Sequence, residues 1–369
     1  MKKFLSIVWY RVLPPEYGGQ KGIAYFNEYL GRKVSLTCLC SENNSPDQPL
    51  SYQLVNKLPS SPLQFWMPPA RKQVLQYIKE NPFTHIIIEH PYHGWLGKYK
   101  EKYGFRFIVH AHNIEHLRMK ARGKLWWRWI KRAERSAFRS ADHILFKTGT
   151  DRSAAIELFG LEPRKCHLVP YGLSETARLP GDKNYKQMIQ ERHGISPDKK
   201  IILFAASPDH EPNRKARDLI VQQIIPLLEK KQFRFHFIIC GGLPVKEIIL
   251  LNRVQGLTAA GFVPSLNEYM QAADVFINPV VSGSGIQTKN MEAIAAGCNV
   301  VTTAFAATGL PSYLLHEKLF VSPDNDWDHL TDNIIRAATV RSTVPPQFYI
   351  DYDWSNIIAG LLQDLSSDD

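Results

Sequence analysis

Residues 274–303 read DVFINPVVSGSGIQTKNMEAIAAGCNVVTT. DVFINPV is a short, continuous apolar run, the mark of a strand buried on both faces of a parallel sheet. A glycine-bearing loop follows, then an Ala-rich stretch at helical spacing that should begin near Gln287 and stop at Gly297. CNVVTT returns as a strand, which completes one βαβ unit. The loop has a chemical implication as well. Gly283 and Gly285 can take positive φ and let another group approach the main chain. The helix behind them presents unpaired N–H groups and its positive dipole end. Lys289 adds a full charge in the first turn, and Glu292 lies one turn deeper on the same face. That arrangement suits a diphosphate, with a carboxylate placed to accept from the vicinal hydroxyls of a ribose. The same spacing also fits an ordinary packed helix with Lys289 and Glu292 as a solvated ion pair.

The βαβ pattern extends outward from this stretch in both directions. FLSIVWY, VSLTCLC, HIIIEH, FRFIVHAH, DHILFKTG and CHLVP form a first series of strand-like runs, with helical stretches between them. KIILFAAS, FRFHFIICG, LTAAGFV, DVFINPV, CNVVTT and KLFVSP form a second. At 369 residues the chain exceeds one ordinary core. The expected class is α/β, with two Rossmann-like doubly wound domains. The first covers 1–172, a linker spans 173–199, the second covers 200–345, and a last amphipathic helix over 346–369 packs back toward the first domain. Ligands of such sheets bind outside the carboxyl ends of the strands, so the expected site is an inter-domain cleft.

Composition excludes several classes. Apolar residues make up 44% and charged residues 22%, as in a globular protein. No apolar run reaches the ~20 residues of a membrane span. The N-terminal KKFLSIVWYRV, interrupted by Arg11 and Pro14-Pro15, reads as a first core strand and not as a signal peptide. Five cysteines without a CxxC pair argue against zinc and redox chemistry and for a reducing cytoplasm. The net charge of +10 is concentrated, because nine Lys/Arg and one Glu lie between Arg118 and Arg139.

GSGIQTKNMEAIAAGCNVVTT resembles the donor-site motif of glycosyltransferase family 4, retaining nucleotide-sugar transferases with the GT-B fold. PPEYGGQKG resembles that family's N-terminal glycine loop, HAHNIEHLR its histidine segment, and HLVPYG its exit from the first domain. FAASPDHEPNRKA and GFVPSLNEYMQAADVFINP are similar to the first strand–loop of the second domain and to its "A-D-V" run. Six such stretches occur in the family's order. The resemblance implies transfer of a hexose from a UDP- or GDP-linked sugar, with retention, to a glycan or lipid-linked acceptor in cell-surface polysaccharide or glycolipid synthesis. It implies donor contacts from Gly18, Gly19, Asn213, Arg214, Gly283, Ser284, Gly285, Lys289 and Glu292, with Gly18 and Gly19 closing on the phosphates. No metal or other cofactor is required. Ser284 stands where many members carry a first glutamate, eight residues before Glu292, and Arg214 lies slightly late for the family's basic pair. Two other readings stand beside this one: a sugar-nucleotide epimerase of the same fold, and a non-catalytic glycan- or membrane-binding protein with a decayed donor site.

Of His110, His112 and His116, alternation puts the first two on one face, and the family alignment selects His112 as the catalytic group on the acceptor side. The D-x-D triplets at Asp324–Asp326 and Asp351–Asp353 read as solvated turns or helix caps, not metal ligands. RMKARGKLWWRWIKRAERSAF combines phosphate-attracting charge with interfacial tryptophans. Lys124, Trp127, Arg128, Lys131 and Arg132 fit a peripheral contact with an anionic membrane on its cytoplasmic face. Equally, Trp126, Ile130 and Ala133 have the spacing of a core-facing stripe. No RNA- or DNA-binding motif is present.

Overall fold

The computed structural model describes residues 2–60, 67–173, 184–205, 210–283 and 286–367. It divides into one unit formed by Met1–Gly172 with Asp351–Asp369, and a second formed by Leu173–Ile350. Each holds one all-parallel sheet.

In the first unit the strands are β1 (Lys3–Val8), β2 (Ser35–Ser41), β3 (Gln53–Leu58), β4 (His85–Glu89), β5 (Arg106–Ala111), β6 (His143–Phe146) and β7 (Cys166–Leu168). They lie in the order β3-β2-β1-β4-β5-β6-β7. The runs expected from sequence are all strands. β3, QLVNKL, was not anticipated; it is an edge strand with three polar residues and lacks the continuous apolar signature of its neighbours. Alternate residues feed two cores. Leu5, Ile7, Ile86, Ile88, Phe107 and Val109 meet the helices of one face. On the other face, Phe4, Val8, Ile87, Ile108 and Leu145 meet the Gly18–Gly31 helix and the C-terminal Trp354–Ser366 helix. Trp354 is fully buried there, and a Cβ built on Gly172 would lie 2.5 Å from its indole. Only glycine fits where the chain leaves this unit. On the first face, the 3₁₀ segment Pro91–Tyr99 approaches the Trp127–Ser140 helix closely. A Cβ on Gly94 would come within 2.5 Å of Ala137.

The second unit carries β8 (Lys200–Ala205), β9 (Phe235–Cys240), β10 (Leu257–Gly261), β11 (Val275–Asn278), β12 (Asn299–Thr303) and β13 (Leu319–Ser322), in the order β10-β9-β8-β11-β12-β13. Two boundaries differ from expectation. Within the segment read as a linker, Tyr185–His193 is a helix of this unit, packed on the Leu266–Ala272 helix. Lys186 donates to both carboxylate oxygens of buried Asp274 at 2.7 and 2.8 Å, and His193 meets the Tyr269 hydroxyl at 3.0 Å. Asp274 also accepts from the Ile201 amide at 2.9 Å, so the aspartate of the "A-D-V" run is a structural clamp. The unit then runs on through the Pro346–Asp351 helix to Ile350.

Candidate active site

In a doubly wound sheet the strand order reverses at one point, and the crevice outside the strand carboxyl ends there is the natural ligand site. In the second unit that point lies between β8 and β11. β8 ends at Ala205, and the Glu211–Leu219 helix follows it, with Asn213 and Arg214 in its first turn. β11 ends at Asn278 and leads through Gly283 to the helix Thr288–Ala295, within a residue of the expected start. Gly283 has φ +141° and Gly297, past the helix end, +88°, both conformations that favour glycine. Buried Asn290 anchors the helix, accepting from Asn278 at 3.0 Å and donating to the Ala306 carbonyl at 2.9 Å. Lys289 reaches across the reversal, and its ammonium donates to the Ala205 carbonyl at 2.8 Å. A positive charge from the first turn of the Thr288–Ala295 helix is thereby fixed at the end of β8. Glu292 lies one turn along the same helix, partly exposed. Ser284 and Gly285 lie outside the described residues.

In the first unit the order reverses between β1 and β4. Gly18 and Gly19, expected in a loop, form the first turn of the helix that follows β1. The connection before them is held from within. Gln20 accepts from the Glu16 amide at 2.7 Å and donates to the Arg11 carbonyl at 2.9 Å. Asn44 accepts from the Val12 and Leu13 amides at 2.7 and 2.9 Å.

β4 ends in Glu89, whose register partner on β5 is His110. The Glu89 carboxylate is fully buried, 3.0 Å from His110 Nδ1 and 2.6 Å from His112 Nε2. His112, one residue past β5, keeps 11% of its side chain exposed, against none for Glu89 and His110. Burial alone would raise the Glu89 carboxyl, but the charge and hydrogen bonds of His110 and His112 outweigh it and hold the group well below the usual range. Burial pushes His112 well below its ordinary value, and the neighbouring His110 adds to this. His90, at φ +65°, lies beside His112, the rings tilted and their centroids 4.6 Å apart. It lies 3.3 Å from Glu115, whose carboxylate also accepts from Arg118 and, at 3.0 Å, from the Tyr92 hydroxyl. A left-handed non-glycine residue at a strand's carboxyl end is the kind of local strain that gathers at functional sites. The ligand-type atoms of Glu89, His110 and His112 lie within 4.8 Å of one another, close enough to hold a cation. Here the carboxylate is occupied by the two rings.

Sequence reasoning points to His112 and, around it, to His110 and Glu115. It missed Glu89, His90, Tyr92 and Arg118. The signal for Glu89 was present in HIIIEH, an acid placed directly after a fully apolar strand run. The D-x-D aspartates have structural partners. Asp326 caps the Trp327–Ala337 helix, Asp324 accepts from the Phe305 amide, and Asp353 caps the Trp354–Ser366 helix.

The basic segment folds as the Trp127–Ser140 helix and its approach. Its buried face is Ile130, Glu134, Ala137 and Phe138. The core-stripe reading holds at Ile130 but fails at Trp126, which is 48% exposed, and Trp129 at 66% and Leu125 at 92% are more exposed still. Trp127 is half-buried between the cations of Lys120 and Arg128, and Lys124, Arg128 and Arg132 are exposed. Lys131 is partly exposed. Among the described residues no helix is long and apolar enough to cross a membrane.

Comparison with known proteins matches residues 18–176 to the family described as Glycosyltransferase Family 4. Residues 199–339 match the family described as Glycosyl transferases group 1. Mannosylfructose-phosphate synthase of Agrobacterium fabrum (strain C58) is 27% identical over 154 residues, 38% of this chain and 33% of that protein. The match thus spans a third of the relative's length. Among solved structures, sucrose-phosphate synthase from Thermosynechococcus elongatus superposes with a TM-score of 0.74 at 16% identity, covering all of both chains. Anabaena HepE in complex with UDP gives 0.73 at 15% identity, over 99% of this chain and all of the other. These likenesses show the two-domain GT-B fold.

Proposed function

The chain belongs to glycosyltransferase family 4, and from that premise we propose that it moves a hexose from a UDP- or GDP-linked sugar to a glycan or lipid-linked acceptor, with retention. The observation that carries this reading is the strand-order reversal of the second unit. There Lys289, in the first turn of its helix, is pinned to the end of β8, and Gly283 lies in the loop that leads into that helix. Departure of a nucleoside diphosphate builds negative charge on the leaving oxygens while positive charge grows on the sugar ring. Lys289, Arg214 and the helix amides are suited to receive the first. Because these groups supply the positive charge, the reading requires no metal or other cofactor. Glu292 is assigned the ribose hydroxyls, and Gly18 and Gly19 allow the phosphates to approach the main chain. His112 is assigned to the reacting sugar and acceptor side. The UDP held by HepE supports a uridine nucleotide as the first donor class to test.

The test is a calorimetric titration with UDP, GDP, ADP and their hexose conjugates. One nucleotide is expected to bind, and Glu292→Gln should weaken it by roughly 1–3 kcal/mol, the scale of a hydrogen bond to a charged group. Unchanged affinity in the folded variant removes Glu292 from the ribose role, and silence across the panel overturns the donor site.

The proposal extends to a cytoplasmic protein resting on an anionic membrane face. Leu125, Trp126 and Trp129 are exposed among Lys124, Arg128, Lys131 and Arg132, an apolar tip ringed by cations. Neutralising those four cations should cost up to about 1 kcal/mol each in affinity for phosphatidylserine vesicles and leave nucleotide affinity unchanged. Vesicle binding equal to that of the unaltered protein would count against the membrane contact.

A further inference from the structure

We propose that Glu89 is the positioning residue for His112, fixing the imidazole as its Nε2–H tautomer so that Nδ1 is the nitrogen offered to a substrate hydroxyl. The inference rests on the assignment of His112 to the reacting sugar and acceptor side.

An ionised carboxylate only accepts hydrogen bonds, so each ring nitrogen that faces it must carry a proton. His112 turns Nε2 toward Glu89 at 2.6 Å, and His110 turns Nδ1 toward the same carboxylate at 3.0 Å. In their neutral forms this leaves His112 with its lone pair on Nδ1 and His110 with its lone pair on Nε2. The two rings then differ in what they can do. His110 is wholly buried and its Nε2 has no hydrogen-bond partner among the described residues. It acts as a strut, its ring beside that of His112 with centroids 4.5 Å apart and its Nδ1 on the same carboxylate. His112 keeps the exposed edge. Glu89 has no freedom to turn away, because it ends β4 in register with His110 and no part of its side chain is exposed.

The arrangement also selects the ligand chemistry. A neutral imidazole offering its lone pair at Nδ1 accepts from an O–H and has no proton at that nitrogen to give to a phosphate oxygen. It favours a neutral sugar hydroxyl over a phosphate oxygen. The division of labour is that of a base oriented by a buried acid, in which the acid sets tautomer and ring direction without touching substrate.

The test begins with the unaltered protein, labelled with 15N in its histidines, in a long-range 1H–15N imidazole spectrum at neutral pH. His112 is assigned by the signal lost in His112→Asn. The Nε2–H pattern is expected, and an Nδ1–H pattern or an exchange-averaged mixture overturns the proposal whether or not any variant folds. In Glu89→Gln one acceptor and one donor replace two acceptors, so the His112 pattern should change. The slow hydrolysis of UDP-glucose should fall roughly 100-fold, the scale of a misplaced reacting group, with UDP affinity unchanged. Glu89→Asp, which keeps the charge, should restore part of the rate. A changed His112 tautomer with undiminished hydrolysis would also overturn the proposal. Failure of UDP to bind the unaltered protein would instead overturn the donor reading, and the tautomer result would stand apart from it.

Discussion

Glu134→Ala should unfold with about 3–5 kcal/mol less stability than the unaltered protein, the cost of removing one partner from a buried charged hydrogen-bonded group. Glu134 lies on the Trp127–Ser140 helix with no exposed surface. Its carboxylate accepts from the Glu115 amide at 2.7 Å, the His116 amide at 3.4 Å and His116 Nδ1 at 2.6 Å. The two amides open the Glu115–Ala121 helix, where donors have no intrahelical partner. Glu134 therefore caps that helix from a distance and locks it to its neighbour. Alanine would strand three donors away from water. Glutamine keeps one acceptor oxygen and should lose roughly half as much. Urea unfolding of both variants provides the measurement, and a loss below about 1 kcal/mol for alanine would contradict the capping role. Since Glu115 engages His90 and Arg118, the alanine variant should also disturb the surroundings of His112.

Acidification is expected to have an effect of similar size. A histidine that favours its neutral form in the folded protein takes up its proton later than the unfolded chain does. Between the ordinary value of 6.5 and the folded value, the unfolded chain binds more protons, so stability falls as the pH falls. Burial, with Arg71 adding, pushes His93 down to about 3. Burial also pushes His110 down to about 4, with Glu89 opposing the shift and Lys147 adding to it. Each group should remove about 1.4 kcal/mol per pH unit through that window. From pH 6.5 to 5 the two together should cost roughly 3 kcal/mol, a large share of an ordinary domain's stability. Urea titrations at several pH values provide the measurement, and His93→Leu should reduce the slope by about 1.4 kcal/mol per pH unit. A flat profile between pH 6.5 and 5 would show that the unfolded chain gains no such protons.

The sequence was most informative where physics leaves a local trace. Strands buried on both faces must be continuous and apolar, so the interior strands were legible, and Gly283 and Gly297 sit where positive φ is needed. β3 left no such trace, because an edge strand tolerates Gln53, Asn56 and Lys57. The Tyr185–His193 helix reads as polar almost throughout, and what holds it is a carboxylate 88 residues away at Asp274. The same limit applies to the candidate site. His112 was legible within one segment, but its partner Glu89 lies 23 positions earlier and meets it only through the register of β4 on β5. Exposure of Trp126 and Trp129 was equally invisible, since helical spacing says which residues share a face but not which face is covered.

The return of the Trp354–Ser366 helix to the first unit sets a timetable for synthesis. Emerging from the ribosome, residues 1–172 can assemble their sheet, but the groove over Phe26, Tyr29 and Leu30 stays uncovered until the entire second unit has been translated. Vectorial folding, in which an amino-terminal domain is finished before the next begins, is therefore closed to this chain. The nascent first unit must wait with an apolar surface exposed, a natural client for a chaperone. A message cut short before Trp354 should yield an aggregating product even though both sheets are complete.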